Sequence, residues 1–259
     1  MIDQLFRQLS SLPQVEAIAL GGSRATSHFD EKSDYDIYLY CTAPLSEGQR
    51  RAVLDKYCSY VEYSNHYWEL EDNGTFQNGI DFDLLLRNLD DFVNSVAMVV
   101  EHFQPSNAYT TCLWHNLITC QVIYDRNGRL TAAKQRFSVP YPPQLRQNII
   151  TRGYRLLCDS MPAYTQQIAK AISRGDLISI NHRTTAFLET YFDVLFALNN
   201  QTHPGEKRLI ELCLQSCTTL PEDFEANLKT LLSNLYSNPH QIPPILEQMI
   251  HNLEKILNF

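Results

Sequence analysis

Four aspartates occur as two pairs with the same spacing: Asp34 and Asp36 in SDYDIYLY, and Asp81 and Asp83 in GIDFDLLL. Residues two apart on extended backbone point to the same face, so each pair aims two carboxylates in one direction. Parallel carboxylates repel and are costly to bury without a counter-charge. No Lys or Arg lies within DYDIYLYC to supply one, and the apolar Ile37 and Leu39 argue against a fully solvated edge strand. A divalent cation is the natural partner, and hard oxygen donors suit Mg²⁺ or Mn²⁺. In the second pair, Asp83 is the favoured third ligand or base because Phe82 and Leu84 flank it inside the apolar run. Asp81, nearer the loop, is the second choice.

Upstream stands a candidate seat for the anion that such cations would accompany. Only 9 of the 259 residues are glycine, yet Gly21 and Gly22 are adjacent, follow the apolar run VEAIAL and precede Ser23. Glycines let backbone approach an anion closely, a helix start aims N–H groups at it, and Ser23 adds a hydroxyl. A tight turn alone explains Gly-Gly-Ser equally well; the acidic pairs downstream favour the phosphate reading.

The elements that must position these residues divide along the chain. Strands are expected at 15–20, 34–41 and 80–87, a helix at 45–62, a hairpin around Asn73-Gly74, and a helix at 88–103 with Asn88 or Asp90 as its N-cap. Beyond about residue 105 strand signals fade. Helices are expected near 112–123, 143–158, 162–174, 177–199, 205–217, 222–236 and 243–257, several beginning at Pro204, Pro221, Pro243 and Pro244. The layout is a small α/β region followed by a helical bundle, with a boundary somewhere in 104–142.

Charge follows the same division. Residues 1–100 carry 7 basic and 16 acidic side chains, a balance of −9, whereas 125–183 hold ten Lys/Arg against three Asp/Glu. An acidic half joined to a locally basic one suits a cleft with cations on one wall and phosphates on the other, though a chance imbalance of solvated charge reads the same. The net charge of −8 disfavours nonspecific nucleic-acid binding. Apolar runs are too short to span a bilayer, and MIDQLFRQLSSLPQ lacks the layout of a secretory signal. The seven cysteines include no CxxC pair and are odd in number, so reduced thiols in a cytoplasm are expected; Cys213 and Cys217, four apart, read as helix packing.

The order Gly-Gly-Ser, a ten-residue spacer (RATSHFDEKS), Asp-x-Asp and a later strand carboxylate resembles the nucleotidyltransferase superfamily of DNA polymerase beta and the aminoglycoside nucleotidyltransferases. DFDLLLRNLDDF, QVIYDRNGRL and FDVLFALNNQTHPGEKRLI resemble a bacterial group of such enzymes with a DUF4037-type helical C-terminal region, so the likeness covers nearly the whole chain. It implies an α+β protein: a small mixed-sheet nucleotidyltransferase domain at 1–104, then an all-helical domain at 105–259 that closes the cleft. It further implies that Gly21, Gly22 and Ser23 hold the phosphates of a nucleoside triphosphate, with ATP expected. Asp34 and Asp36 match the metal pair, and Asp83 the third carboxylate, as ligand or as base, for two Mg²⁺ (or Mn²⁺) ions. Lys207 and Arg208, just after a loop at a helix start, are placed to reach triphosphate oxygens; Lys207 is preferred, Arg183 is next, and Arg24 follows the motif directly. His28 and His182 are assigned no catalytic role.

The reaction so implied is transfer of a nucleoside monophosphate to the hydroxyl of a small molecule such as an antibiotic, which would confer resistance. Tyr63, Tyr67, Trp68 and Tyr109 either line the acceptor pocket or serve as core and hairpin pairs. Two alternatives stay open: adenylylation of a protein within a toxin–antitoxin pair, and a nucleotide-binding regulator without turnover. The filled acidic positions count against the latter. A homodimer is the assembly implied by the aminoglycoside enzymes.

Overall fold

The computed structural model describes residues 1–25, 33–67 and 69–257, except the Ser23 side chain. It divides into two compact units, one of Met1–Ala97 with Leu113–Val139, the other of Met98–Cys112 with Pro140–Phe259. The sequence reading divided the chain once, at 104–105; here residues 113–139 fold with the first unit and 98–112 with the second. The architecture is α+β, a mixed sheet followed by a helical region.

In the first unit, α1 (Ile2–Ser11) leads into β1 (Val15–Leu20) and β2 (Tyr35–Cys41), then α2 (Glu47–Leu54), β3 (Cys58–His66), β4 (Leu70–Phe76) and β5 (Asp81–Asn88). Next come α3 (Leu89–Val100), α4 (Cys112–Thr119), β6 (Gln121–Asp125) and α5 (Arg129–Phe137). The six strands lie in the order β3-β4-β5-β2-β1-β6. Only β2 and β5 run parallel, and the long crossover that a parallel pair requires is supplied by α2, β3 and β4. Ile37, Leu39, Phe82 and Leu84 point to one face, where they form a core with Leu5, Phe6 and Leu9 of α1 and with Val53 and Leu54 of α2. Burial of each such side chain contributes about 1.5–3 kcal/mol, so the opposite face of the central strands is left to polar groups.

Three expected elements differ. The helix expected over 45–62 ends at Leu54, and CSYVEYSNH pairs with β4 instead, because its alternating Tyr and Val residues suit a half-exposed strand. Asn73-Gly74 is not a turn but the middle of β4. A Cβ at Gly74 would lie 2.4 Å from the Tyr60 carbonyl oxygen and 2.9 Å from the Phe82 ring, so the glycine serves close packing. The chain reverses instead at Gly79, with φ +80° and its N–H bonded to the Phe76 carbonyl at 2.9 Å. Finally, the helix expected over 112–123 stops at Thr119, and QVIYD becomes an edge strand on β1. Asn88 is the side chain that caps α3, accepting the Asp91 N–H at 3.1 Å.

The second unit contains α6 (Pro143–Tyr154) prolonged by a π-helical turn at Arg155–Asp159, then α7 (Tyr164–Ser173), α8 (Leu177–Leu198), α9 (Leu209–Ser216), α10 (Phe224–Ser237) and α11 (Ile242–Leu257). Every residue of α8 from Thr190 to Leu198 is buried, so its C-terminal half is the unit's central rod. Within it the buried Asp193 accepts the Thr110 N–H at 3.0 Å and the Thr110 hydroxyl at 2.6 Å. No described helix is long and apolar enough to cross a membrane, and all seven cysteines are free thiols.

Candidate active site

The adjacent glycines are explained by the strand beside them. The Gly21 N–H donates to the Asp36 carbonyl at 2.8 Å, continuing the β1–β2 ladder one residue beyond β1. A Cβ on Gly21 would lie 2.3 Å from the Tyr38 hydroxyl oxygen. Gly22 has φ +57°, and a Cβ there would lie 1.8 Å from Asp36 Oδ2. Both positions therefore exclude side chains for the same reason: β2 fills the space, with Tyr38 over one and the Asp36 carboxylate over the other. Ser23 begins a 3-10 turn, Ser23–Ala25; the helix that the sequence reading anticipated here would run into residues 26–32, which lie outside the described residues.

Register brings the carboxylates together. Asp36 on β2 is the direct partner of Asp83 on the parallel β5, so both side chains leave the same face from strands about 4.8 Å apart. Asp34, half-buried, lies immediately before β2. Asp81 is exposed, and its Oδ1 accepts the Thr75 hydroxyl at 2.7 Å; of the second acidic pair, it is Asp83 that faces Asp36. Arg24 braces the approach to β2: its Nε donates to the Ser33 carbonyl at 2.8 Å and the Asp34 carbonyl at 3.1 Å, and its guanidinium lies 3.8 Å from the Tyr35 ring centroid.

Three neighbours were not legible as site residues. Asn73, the β4 partner of Asp83, donates from Nδ2 to Asp83 Oδ1 at 2.7 Å and accepts from Asn65 Nδ2 at 2.8 Å. Its place beside Gly74 disguised it as a turn residue. Glu71, two residues away on the same face of β4, is buried; that burial, and then the charge of Asp83, push its carboxyl above the usual range. Tyr38, two residues beyond Asp36, shares the face, a relation the period-2 pattern carried. Burial pushes its phenol well up, opposed by Arg87 and reinforced by the charge of Asp36. Arg87 is a buried cation of this face, held by Glu69 through Nε and Nη2 at 2.8 and 2.6 Å.

Most of the remaining candidates belong to the helical unit. Lys207 and Arg183 are both exposed residues of the helical unit. Lys207 lines a cavity of about 380 Å³ with Tyr109, Glu189 and Glu206. Arg208 pairs with Glu211. Tyr63 donates to Asp55 at 2.7 Å, and Tyr67 is exposed. Since Tyr63 and Tyr109 belong to different units, no single unit gathers the aromatics into one acceptor pocket. His182 is exposed on α8; His28 and Trp68 lie outside the described residues.

The donors on the sheet face fit a hard divalent cation. Among the described residues no three His, Cys, Asp or Glu side chains are gathered closely enough to hold a metal ion. The aligned Asp36 and Asp83 supply two carboxylates, the number that Mg²⁺ takes from protein when substrate phosphates complete its shell.

Comparison with known proteins gives two domain matches and two distant structural neighbours. The chain matches the family model described as nucleotidyltransferase domain over residues 2–105, and a domain of unknown function, DUF4037, over 109–209. It is similar to the crystal structure of a nucleotidyltransferase-like protein from Exiguobacterium sibiricum 255-15, at 12% identity and a TM-score of 0.44, over 99% of this chain and 73% of that one. It is also similar to an aminoglycoside 6-adenyltransferase from Bacillus subtilis, at 9% identity and a TM-score of 0.29, over 99% of this chain and 90% of that one. No curated protein matches the sequence. A nucleotidyltransferase domain implies a nucleotide substrate and transferase chemistry. Residues 2–105 thus match a nucleotidyltransferase domain, and residues 109–209 match DUF4037.

Proposed function

We propose that the protein is a metal-dependent nucleotidyltransferase that moves AMP from ATP to a hydroxyl of a small-molecule acceptor, such as an antibiotic, and releases pyrophosphate. The observation that carries this reading is the direct pairing of Asp36 with Asp83, with Asp36 packed against a glycine turn that has no room for a side chain.

Asp36 and Asp83 would hold the divalent ions, with Asp34, which does not gather with them in the described structure, the further ligand that the family resemblance assigns. When bound, such ions would lower the pKa of the acceptor hydroxyl and neutralise charge on the leaving group. The chain's own residues do the positioning. Gly21 and Gly22 seat the β- and γ-phosphates, and Asn73 keeps one oxygen of Asp83 committed to the sheet. The acceptor oxygen bonds to the α-phosphorus while the bond from that phosphorus to the α–β bridging oxygen breaks. Pyrophosphate departs with the electron pair, and the hydroxyl proton passes to Asp83 or, where Asp83 holds the acceptor-side ion, to water. Rate acceleration in such a site comes mainly from positioning and charge stabilisation.

The test is calorimetry with a non-hydrolysable ATP analogue. Binding should require Mg²⁺ or Mn²⁺, and Asp36→Ala should weaken metal-dependent binding by about 100-fold, the upper range for loss of a group that supports a metal. Equal affinity without metal would overturn the assignment. A screen of the four nucleoside triphosphates against acceptor mixtures, read by mass shift, then identifies nucleotide and acceptor. A labelled protein band from lysate with no small-molecule product would redirect the reading to protein adenylylation.

A further inference from the structure

We infer that the Tyr38 hydroxyl is a hydrogen-bond donor to a nucleotide phosphate lodged at the Gly21–Gly22 turn. The inference rests on the nucleotidyltransferase reading of that turn and adds a side chain to it.

Tyr38 is 6% exposed, and its hydroxyl bonds to no described residue. The hydroxyl is not sealed off from solvent, so a donor that the described residues leave without a partner can bond a molecule that enters from outside. The hydroxyl also has a defined aim. It reaches across to β1, where the Cβ of any residue other than glycine at position 21 would lie 2.3 Å from it. The small Ala19, its partner on β1, leaves the ring room to lean that way. The ring is fixed from behind by the Arg87 guanidinium, 4.3 Å from its centroid, and Arg87 is itself clamped by Glu69.

The chemistry selects an anionic oxygen. Tyr38 shares its face with Asp36, two residues before it, and with Asp83, the partner of Asp36. A phenol is protonated at neutral pH, so it offers a proton and no negative charge. A neutral donor beside carboxylates that bind cations can approach a phosphate oxygen without competing for those cations. Because the contact would persist from bound substrate to transition state, it should act on affinity rather than on turnover.

Tyr38→Phe tests this in the full chain, since it removes one oxygen and leaves the ring. Calorimetry with Mg²⁺ should show binding of a non-hydrolysable ATP analogue and of pyrophosphate alone both weakened about tenfold or more. The thermal melting temperature should stay unchanged, and in a turnover assay KM should rise with kcat preserved. Wild-type affinity in the variant would overturn the inference. So would a loss confined to the analogue with pyrophosphate unaffected, because the hydroxyl would then serve the nucleoside. A fall in melting temperature matching the fall in affinity would show a structural role and overturn it too. Failure of the unmodified protein to bind either probe would instead overturn the nucleotidyltransferase reading, and this inference with it.

Discussion

In the first unit the fully buried Asp72 meets Arg50, whose Nε and Nη2 reach its two oxygens at 2.6 and 3.1 Å. In the second unit Asp193, almost as enclosed, meets only the backbone and hydroxyl of Thr110. An opposite charge fixes the first carboxylate as a clamp between α2 and β4, helped by the Ser64 N–H at 2.9 Å. Neutral donors leave the second close to its titration: burial raises Asp193 from 3.8 to about 6, with the Thr110 bonds opposing. The candidate catalytic carboxylates belong to neither type. Asp36 and Asp83 are half-buried and shared between two strands, while the buried arginines of their unit, Arg50 and Arg87, are committed to Asp72 and Glu69. Structural and candidate catalytic carboxylates thus share one sheet at different depths.

The comparison breaks first at Arg50. Arg50→Met should destabilise the protein by about 3–5 kcal/mol, because it strands Asp72 in the core. Denaturant unfolding measures this, and a loss below about 1 kcal/mol, the order of an exposed pair, would put the clamp on a level with surface bridges.

Asp193 should behave in the opposite sense. The folded protein keeps the Asp193 proton up to about pH 6, whereas the unfolded chain releases it near 3.8. Between those values the folded state binds more protons, so this group's contribution is complete below 3.8, falls as pH rises through about 6, and is constant above. Asp193→Asn keeps an acceptor for the Thr110 N–H and abolishes that slope. The stability difference between wild type and variant should therefore change by up to about 3 kcal/mol across the window. A pH-independent difference would refute the assignment.

Two smaller effects sharpen the contrast on the sheet face. Gly22→Ala should cost about 1–3 kcal/mol through its left-handed backbone and should also displace Asp36, so melting temperature and metal-dependent nucleotide binding fall together. Asn73→Ala removes a single hydrogen bond to a half-buried carboxylate and should cost about 1 kcal/mol. Its melting curve should move little, while Mn²⁺ affinity, read by electron paramagnetic resonance, falls further than stability does.

How far the site was legible depended on the range of the interaction. The shared face of Asp34 with Asp36, and of Asp81 with Asp83, follows from a two-residue period. The preference for Asp83 followed from its apolar flanks, whereas its register opposite Asp36 comes from strand pairing. Asn73 was hidden because Asn-Gly is a strong local turn signal, overridden here by the packing of Tyr60 and Phe82 around Gly74. The strand at Gln121–Asp125 was missed because five residues beside a helix carry too little periodicity, and β1 supplies their hydrogen bonds.

By itself the sequence determined the order of the elements, the alternation that turns acidic groups away from an apolar core, and the unusual placing of two glycines. Those are consequences of covalent spacing. Only the tertiary structure decided that Asp36 faces Asp83, that Asp36 and Tyr38 are what exclude side chains from Gly22 and Gly21, and that Asn73 holds Asp83. Strand register joins residues 47 positions apart, and no local rule carries information across that distance.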